Sequence, residues 1–206
     1  MPPVTAAKAL REAGITFLFA PVYHGAMKLV APLRKELGVR TIFNLAGPLA
    51  NPLGVRRQIV GVDRPTRLPA VAGTLALRGV ERAFVFSNET GGDEILPCGE
   101  TIVTELKDGA LETFRLTAFD FGMPERAVVQ LAGGDAPTNA GILRAILGGE
   151  AGPGRETVLM NAAAALVVAG AAASFKDGVG MAAASIDGGA AARALETLVA
   201  VSKDAG

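Results

Sequence analysis

Two acidic side chains follow a pair of glycines in the segment Gly91-Gly92-Asp93-Glu94. Residues 83–87, just before it, form an apolar run typical of a buried strand, and open parallel sheets bind ligands beyond the carboxyl ends of their strands. Mg²⁺ usually takes one or two carboxylates and completes its octahedron with water and substrate phosphate. The pattern therefore predicts a metal site at Asp93 and Glu94, although without context such a pair is more often a solvated turn.

His24 is the only histidine of the sequence, and Arg34 follows ten residues later. Ten residues are close to three helical turns of about 3.6 residues, so the two side chains can line one face of a helix predicted over residues 24–37. An arginine there can bind a carboxylate through two hydrogen bonds. From the residues alone, a structural histidine and a surface arginine remain the more common interpretations.

Other chemistries find little support in the sequence. No serine-centred elbow accompanies the single histidine, and Cys98 follows a proline with no base nearby, which disfavours a hydrolase. No Walker lysine follows Gly152-Pro153-Gly154, and Gly178-Val179-Gly180 lacks the preceding strand of a dinucleotide fingerprint. Both glycine segments are interpreted as helix boundaries.

The elements that must position these residues follow from hydrophobic periodicity and from glycine and proline breaks. After an amphipathic N-terminal helix, the predicted order is strand 15–19, helix 24–37, ordered loop 41–52, strand 58–62, helix 68–78 and strand 83–87. This alternation favours parallel strands.

A hairpin is predicted over residues 101–116, because Asp108-Gly109 separates two β-rich arms. The remainder is predicted to form helices at 139–148, 156–173, 178–186 and 188–202. We therefore predict an α/β fold, with a mostly parallel sheet, helices on both faces and a β-hairpin. Residues 1–206 are expected to form a single domain.

Composition limits the classes of partner and compartment. Twenty basic and twenty acidic residues cancel, which argues against nucleic acid and against an anionic membrane surface. Cys98 is the only cysteine, so no intrachain disulfide forms, and a cytoplasmic location is expected. The apolar stretch 158–174 is rich in alanine and is interpreted as a buried helix, since a membrane span needs about 20 apolar residues.

Four blocks carry a resemblance to a known family: GITFLFAPVYHGAMKLVAPLRKELGVRTIFNLAGPLANP (14–52), GGDEI (91–95), GGDAPTNAGILRAILGGEAGPGRETVLMNAAAALVVAG (133–170) and FKDGVGMAAASID (175–187). Together they closely resemble anthranilate phosphoribosyltransferase, along nearly the whole chain. The resemblance implies the α/β catalytic-domain fold shared with nucleoside phosphorylases. It also implies transfer of phosphoribosyl from 5-phosphoribosyl 1-pyrophosphate (PRPP) to the amine of anthranilate in tryptophan biosynthesis, with release of pyrophosphate.

Site roles are carried over from the family position by position. Asp93 and Glu94 match its Mg²⁺-binding carboxylate pair, and Arg34 matches the arginine that holds the carboxylate of anthranilate. His24 matches the histidine of a His-x-Ala-Met segment, which shapes the aromatic pocket. Asn44 and Pro48 are expected to complete the wall of that pocket.

The sequence also departs from the family. Its N-terminal helical region, Gly-Thr-Gly-Gly-Asp loop, Asn-x-Ser-Thr segment and Lys-His-Gly segment do not occur in residues 1–206. Gly25 replaces a common proline, and Ser87-Asn88-Glu89 stands where Val-His-Gly is frequent. We therefore expect a chain truncated relative to the family and inactive by itself. A homodimer is compatible with the family, but its dimer contacts lie largely in the region that is lacking.

Two alternatives remain open at this point. One is a non-catalytic relative that kept the fold and acquired a binding role. The other is an enzyme similar to pyrimidine nucleoside phosphorylase, because Arg34 and the segment GVRTIFNLAGPLANP (38–52) resemble both groups. The acidic pair and the NAAAAL segment (161–166) favour the anthranilate enzyme.

Overall fold

The protein is represented by a computed structural model that describes residues 1–25, 36 and 49–204. The chain divides into two compact units, Met1–Pro52 with Gly188–Gly206, and Leu53–Asp187. The described α-helices are α1 (Pro3–Ala13), α2 (Ala20–Tyr23), α3 (Leu68–Leu77), α4 (Ala136–Leu147), α5 (Pro153–Ala169), α6 (Phe175–Asp187) and α7 (Ala190–Lys203). The described strands are β1 (Arg57–Gly61), β2 (Arg82–Asn88), β3 (Thr101–Lys107) and β4 (Ala110–Leu116).

In the first unit, α1 packs against α7. Helix α1 begins with Pro3, preceded by the N-cap residue Pro2, and ends before Gly14, whose φ of 71° is the left-handed conformation that glycine adopts at no steric cost. Ala6 and Ala9 of α1 and Val201 of α7 are buried, so small side chains allow the two helices to approach closely. The predicted N-terminal helix is confirmed.

The strand predicted over residues 15–19 does not form, and these residues have no regular secondary structure. Ile15, Phe17 and Phe19 are 50%, 60% and 50% exposed, so the apolar run by itself was not enough to form a buried strand. Strand formation depends on a pairing partner, and no described strand pairs with this segment. The helix predicted over residues 24–37 and most of the loop predicted over 41–52 lie outside the described residues.

The second unit is built on a four-stranded sheet in the order β1-β2-β3-β4. Strands β1 and β2 are parallel and joined through α3, whereas β2 to β3 and β3 to β4 are antiparallel. Asp108 and Gly109 join β3 to β4 with φ values of 50° and 83°, as a two-residue type I′ turn requires. The α/β class and the hairpin are confirmed. The described sheet is mixed, because β3 and β4 return antiparallel instead of crossing over.

Helices cover both faces of this sheet. Phe84 and Phe86 of β2 join a buried cluster with Met160, Ala164 and other residues of α5. The alternate residues Ala83 and Val85 are also buried and point to the opposite face, where α3 contacts β2 and β3. The apolar stretch at 158–174 is thus mainly the buried helix α5, as predicted. No helix in the part of the chain that the structure describes has the length and apolarity needed to span a membrane.

Gly178 of α6 lies directly against Ala163 of α5, where a Cβ would come within 2.8 Å of the Ala163 Cα and 3.0 Å of its carbonyl oxygen. We expect Gly178→Ala to lower the free energy of unfolding by about 1–3 kcal/mol, because these backbone atoms cannot yield without separating the helices. Urea unfolding of the purified chain measures this change.

Gly180→Ala is the matched control, since the same helix has open space at that position. Alanine there should raise stability by about 0.5–1 kcal/mol through its higher helix propensity. Equal shifts for the two variants would contradict the close helix approach.

Candidate functional site

The carboxylates of Asp93 and Glu94 lie in the loop that follows β2, beyond its carboxyl end. Both residues are exposed, and neither side chain forms an ion pair or hydrogen bond with another described residue. Gly91 turns the chain with a φ of 90°, a conformation that side chains strongly disfavour. The turn therefore presents two free, adjacent oxygen donors at the edge of the sheet where ligands of such folds bind.

Asn88, the last residue of β2, organises the start of this loop. It is 1% exposed, and its Nδ2 donates to the Cys98 carbonyl at 2.9 Å and to the Thr101 Oγ1 at 3.1 Å. Its Oδ1 accepts from the backbone N–H and the hydroxyl of Thr90 at 2.9 and 2.6 Å. Its backbone N–H donates to the Gly92 carbonyl at 2.9 Å. In the sequence, Asn88 stood out only within Ser87-Asn88-Glu89, as a departure from the family, although a polar residue at the end of an apolar strand could have indicated this role.

Gly61, at the carboxyl end of β1, lies against the backbone of Asp93. A Cβ built at Gly61 would fall 1.7 Å from the Asp93 carbonyl oxygen and 2.6 Å from its carbonyl carbon. Only glycine permits this approach, because every nearby atom belongs to the backbone. The parallel pairing of β1 and β2 thus brings Gly61 against the acidic turn (residues 91–94), a contact that the sequence did not predict.

Asn161 of α5 holds the residue that follows the acidic pair. Its Oδ1 accepts from the Ile95 N–H at 3.1 Å, and its Nδ2 donates to the Ile95 carbonyl at 2.8 Å and to the Thr157 carbonyl at 2.9 Å. The Ile95 side chain is fully buried in the cluster that contains Met160 and Ala164. Ile95 is therefore fixed through both its backbone and its side chain.

Further along, the loop packs against the rest of the second unit. Burial raises the pKa of the Cys98 thiol, partly opposed by a hydrogen bond with Thr90, so the thiol stays protonated near neutral pH. The Arg126 N–H donates to the Pro97 carbonyl at 2.6 Å, and its guanidinium forms two hydrogen bonds, of 2.8 and 2.6 Å, with Glu156 of α5. The hydrogen bonds with Glu156 raise the pKa of Arg126. Arg126 thus connects the backbone of Pro97, in the loop, to Glu156 of α5.

The remaining predicted site residues are less fully described. His24 ends α2 in the first unit, is half-buried, and donates its backbone N–H to the Ala20 carbonyl at 2.9 Å. Arg34, Asn44 and Pro48 lie outside the described residues. Among the described residues, Asp93 and Glu94 are thus the predicted site residues of the second unit, and they share one loop.

The donor set suits a hard cation. No group of three or more His, Cys, Asp or Glu side chains within residues 1–25 and 49–204 is arranged to hold a metal ion. Two free carboxylates nevertheless match the number of ligands that a protein usually supplies to Mg²⁺, whose other ligands are water or phosphate oxygens. Fold and loop together define an α/β domain with an exposed acidic turn beyond the carboxyl end of its parallel strand pair.

The chain belongs to the glycosyl transferase family, whose α/β-domain model matches residues 1–192. Anthranilate phosphoribosyltransferase of Anaeromyxobacter dehalogenans is 52% identical over 196 residues, which are 95% of this chain and 58% of that protein. The Mesorhizobium japonicum enzyme is 49% identical over 202 residues, covering 98% of this chain and 60% of that protein. The resemblance inferred from the four sequence blocks is confirmed.

Solved structures agree with these sequence relatives. Anthranilate phosphoribosyltransferase from Thermus thermophilus superposes with a TM-score of 0.89 at 39% identity, covering 97% of this chain and 59% of that one. The Saccharomyces cerevisiae enzyme in complex with PRPP and Mg gives a TM-score of 0.91 at 31% identity, covering 99% and 59%. This chain therefore spans roughly three fifths of the length of the relatives it matches.

Proposed function

We propose that this chain is the anthranilate-binding and metal-binding portion of an anthranilate phosphoribosyltransferase, which transfers phosphoribosyl from PRPP to the amine of anthranilate. The observation that carries the proposal is the exposed, unpaired Asp93–Glu94 turn, in a chain that aligns with these enzymes over 95% of its length. We further infer that the enzyme acts in the cytoplasm, in tryptophan biosynthesis, without nucleic-acid or membrane partners.

The chemistry explains why a carboxylate pair is needed. The C1–oxygen bond of the sugar breaks, a C1–nitrogen bond forms, the amine loses a proton, and pyrophosphate leaves. Asp93 and Glu94 would hold Mg²⁺, which, when bound, stabilises the negative charge that develops on pyrophosphate. The contribution of the two carboxylates would be to hold the cation beyond the carboxyl end of β2.

The other roles concern anthranilate. Arg34 would bind its carboxylate through two hydrogen bonds and hold the weakly nucleophilic amine near the anomeric carbon. His24 would shape the aromatic pocket and hydrogen-bond near the amine, with Asn44 and Pro48 completing the wall. Positioning of this kind can contribute about 7–11 kcal/mol to lowering a reaction barrier.

The test is a reconstituted enzyme, in which this chain is joined to the N-terminal part of a relative. It is incubated with anthranilate, PRPP and Mg²⁺ while the loss of anthranilate fluorescence is followed, with the full-length relative as the positive control. Turnover that requires all three components supports the proposal. Thermal shifts with thymidine or uracil but not anthranilate would favour a nucleoside phosphorylase instead, and DNA retention at low salt would favour a binding relative.

We expect Arg34→Ala in the reconstituted enzyme to weaken anthranilate binding by about 2–3 kcal/mol, because a charged hydrogen-bonded pair is lost. The KM for PRPP should change far less, since only anthranilate presents its carboxylate to Arg34. Steady-state kinetics with each substrate varied in turn measures both effects. Lys35→Ala is the matched control. Unchanged anthranilate kinetics in Arg34→Ala would show that Arg34 does not bind anthranilate.

A further inference from the structure

The acidic turn is held at three successive points, and two of them come from β-strands. Asn88 at the end of β2 donates its N–H to the Gly92 carbonyl at 2.9 Å. Gly61 at the end of β1 lies against the Asp93 carbonyl, where a Cβ would come within 1.7 Å. These contacts restrain the backbone before Glu94 and leave both carboxylates exposed.

The third point is supplied by Asn161, 66 residues away along the chain. Its amide group pairs with both backbone groups of Ile95, and its Nδ2 also donates to the Thr157 carbonyl one turn earlier on α5. The donor and acceptor atoms of this side chain are thus engaged, so its own orientation is fixed. Because Ile95 directly follows Glu94, these hydrogen bonds tie α5 to the residue next to the acidic pair.

We propose that Asn161 is a positioning residue for a divalent cation bound by Asp93 and Glu94. By fixing Ile95, it keeps the Glu94 carboxylate where it can bind the same cation as Asp93. This inference rests on the function proposed above, because it assumes that the acidic pair binds metal. Asn161 does not itself face the cation, since its polar atoms are occupied by Ile95 and Thr157. Outer partners that orient metal-binding groups typically contribute about 10–100-fold in metal affinity.

A matched control exists in the same unit. Asn139 makes the same paired contact with Gly134, accepting from its N–H at 2.9 Å and donating to its carbonyl at 2.9 Å. That pair lies at the start of α4, and neither residue belongs to the acidic turn. Asn139→Ala therefore removes the same pair of amide-to-backbone hydrogen bonds, though not a third like that of Asn161 to Thr157, without touching the segment next to Glu94.

The experiment uses the 206-residue chain as wild type, Asn161→Ala, Asn139→Ala and the double variant Asp93→Asn, Glu94→Gln. Mn²⁺, whose oxygen-ligand preference resembles that of Mg²⁺, is titrated into each protein, and the loss of the electron paramagnetic resonance signal of free Mn²⁺ is followed. Amide hydrogen exchange over residues 91–96 is measured on the same samples, and thermal unfolding shows which variants remain folded.

We expect Asn161→Ala to weaken Mn²⁺ binding about tenfold and to accelerate exchange at Ile95, with Asn139→Ala unchanged in both. Unchanged exchange at Ile95, or faster exchange with undiminished Mn²⁺ affinity, would overturn the positioning role while leaving the metal site intact. If the double variant binds Mn²⁺ as well as wild type, the metal assignment itself fails, and the positioning role fails with it. If Asn161→Ala does not fold, Asn161→Ser, a smaller truncation that keeps one polar group, replaces it with the same expected results.

Discussion

Replacing both acidic side chains, Asp93→Asn with Glu94→Gln, should lower turnover of the reconstituted enzyme by about 100-fold or more and raise the Mg²⁺ concentration needed for half-maximal activity. The amides keep the shape of the side chains but cannot neutralise a divalent cation. Electrostatic groups aimed at developing charge are typically worth about 10²–10³ in rate, which sets the expected size. Both carboxylates are exposed and unpaired in the described structure, so the fold should survive the substitution.

A control of equal charge is available at the opposite end of β2. The hairpin turn after Lys107 lies beside the start of β2, because Lys107 pairs with Arg82. Asp108→Asn with Glu112→Gln removes two exposed carboxylates there, and asparagine tolerates the positive φ of position 108. Turnover of both double variants is measured as a function of Mg²⁺ concentration. If the Asp93 and Glu94 variant keeps the dependence of the parental enzyme, these carboxylates do not bind the metal.

Gly61→Ala is expected to be among the most disruptive single substitutions in the second unit. The new Cβ would lie 1.7 Å from the Asp93 carbonyl oxygen and 3.1 Å from its Cα, so β1 or the acidic turn must move. Overpacking of this kind costs about 1–3 kcal/mol, and the clash with the Asp93 backbone, which cannot rotate away as a flexible side chain could, places this site near the upper end. Because the displaced atoms belong to Asp93, Mn²⁺ affinity should fall together with stability.

Urea unfolding and Mn²⁺ titration of the same purified chain test both parts of this expectation. Gly73→Ala is the control, since Gly73 lies within α3 with open space around it. Alanine should stabilise that helix by about 0.5–1 kcal/mol and leave Mn²⁺ binding unchanged. A Gly61→Ala variant with wild-type unfolding and wild-type Mn²⁺ affinity would show that Gly61 and Asp93 are not in close contact.

Local features of the sequence were sufficient for much of the second unit and for α7 of the first unit. The Asp108-Gly109 pair predicted the hairpin because few residues other than glycine, asparagine and aspartate accept positive φ. Glycine and proline breaks predicted the four C-terminal helices to within a few residues, since both residue types interrupt helical backbone geometry. The apolar run 83–87 and the glycine pair after it predicted that Asp93 and Glu94 lie in a loop beyond a buried strand, and the structure places both there, exposed. That they bind a metal stays a prediction.

Contacts between segments far apart in the chain were decided only by the tertiary structure. Residues 15–19 are apolar enough for a strand but have no described pairing partner, and β3 returns antiparallel to β2 although the preceding alternation favoured parallel pairing. Gly61 and Asn161 looked like an ordinary strand glycine and a helix asparagine. Their importance comes from approaching Asp93 and Ile95 within the folded unit. Periodicity and backbone sterics are local, whereas such packing depends on where the chain brings its distant segments together.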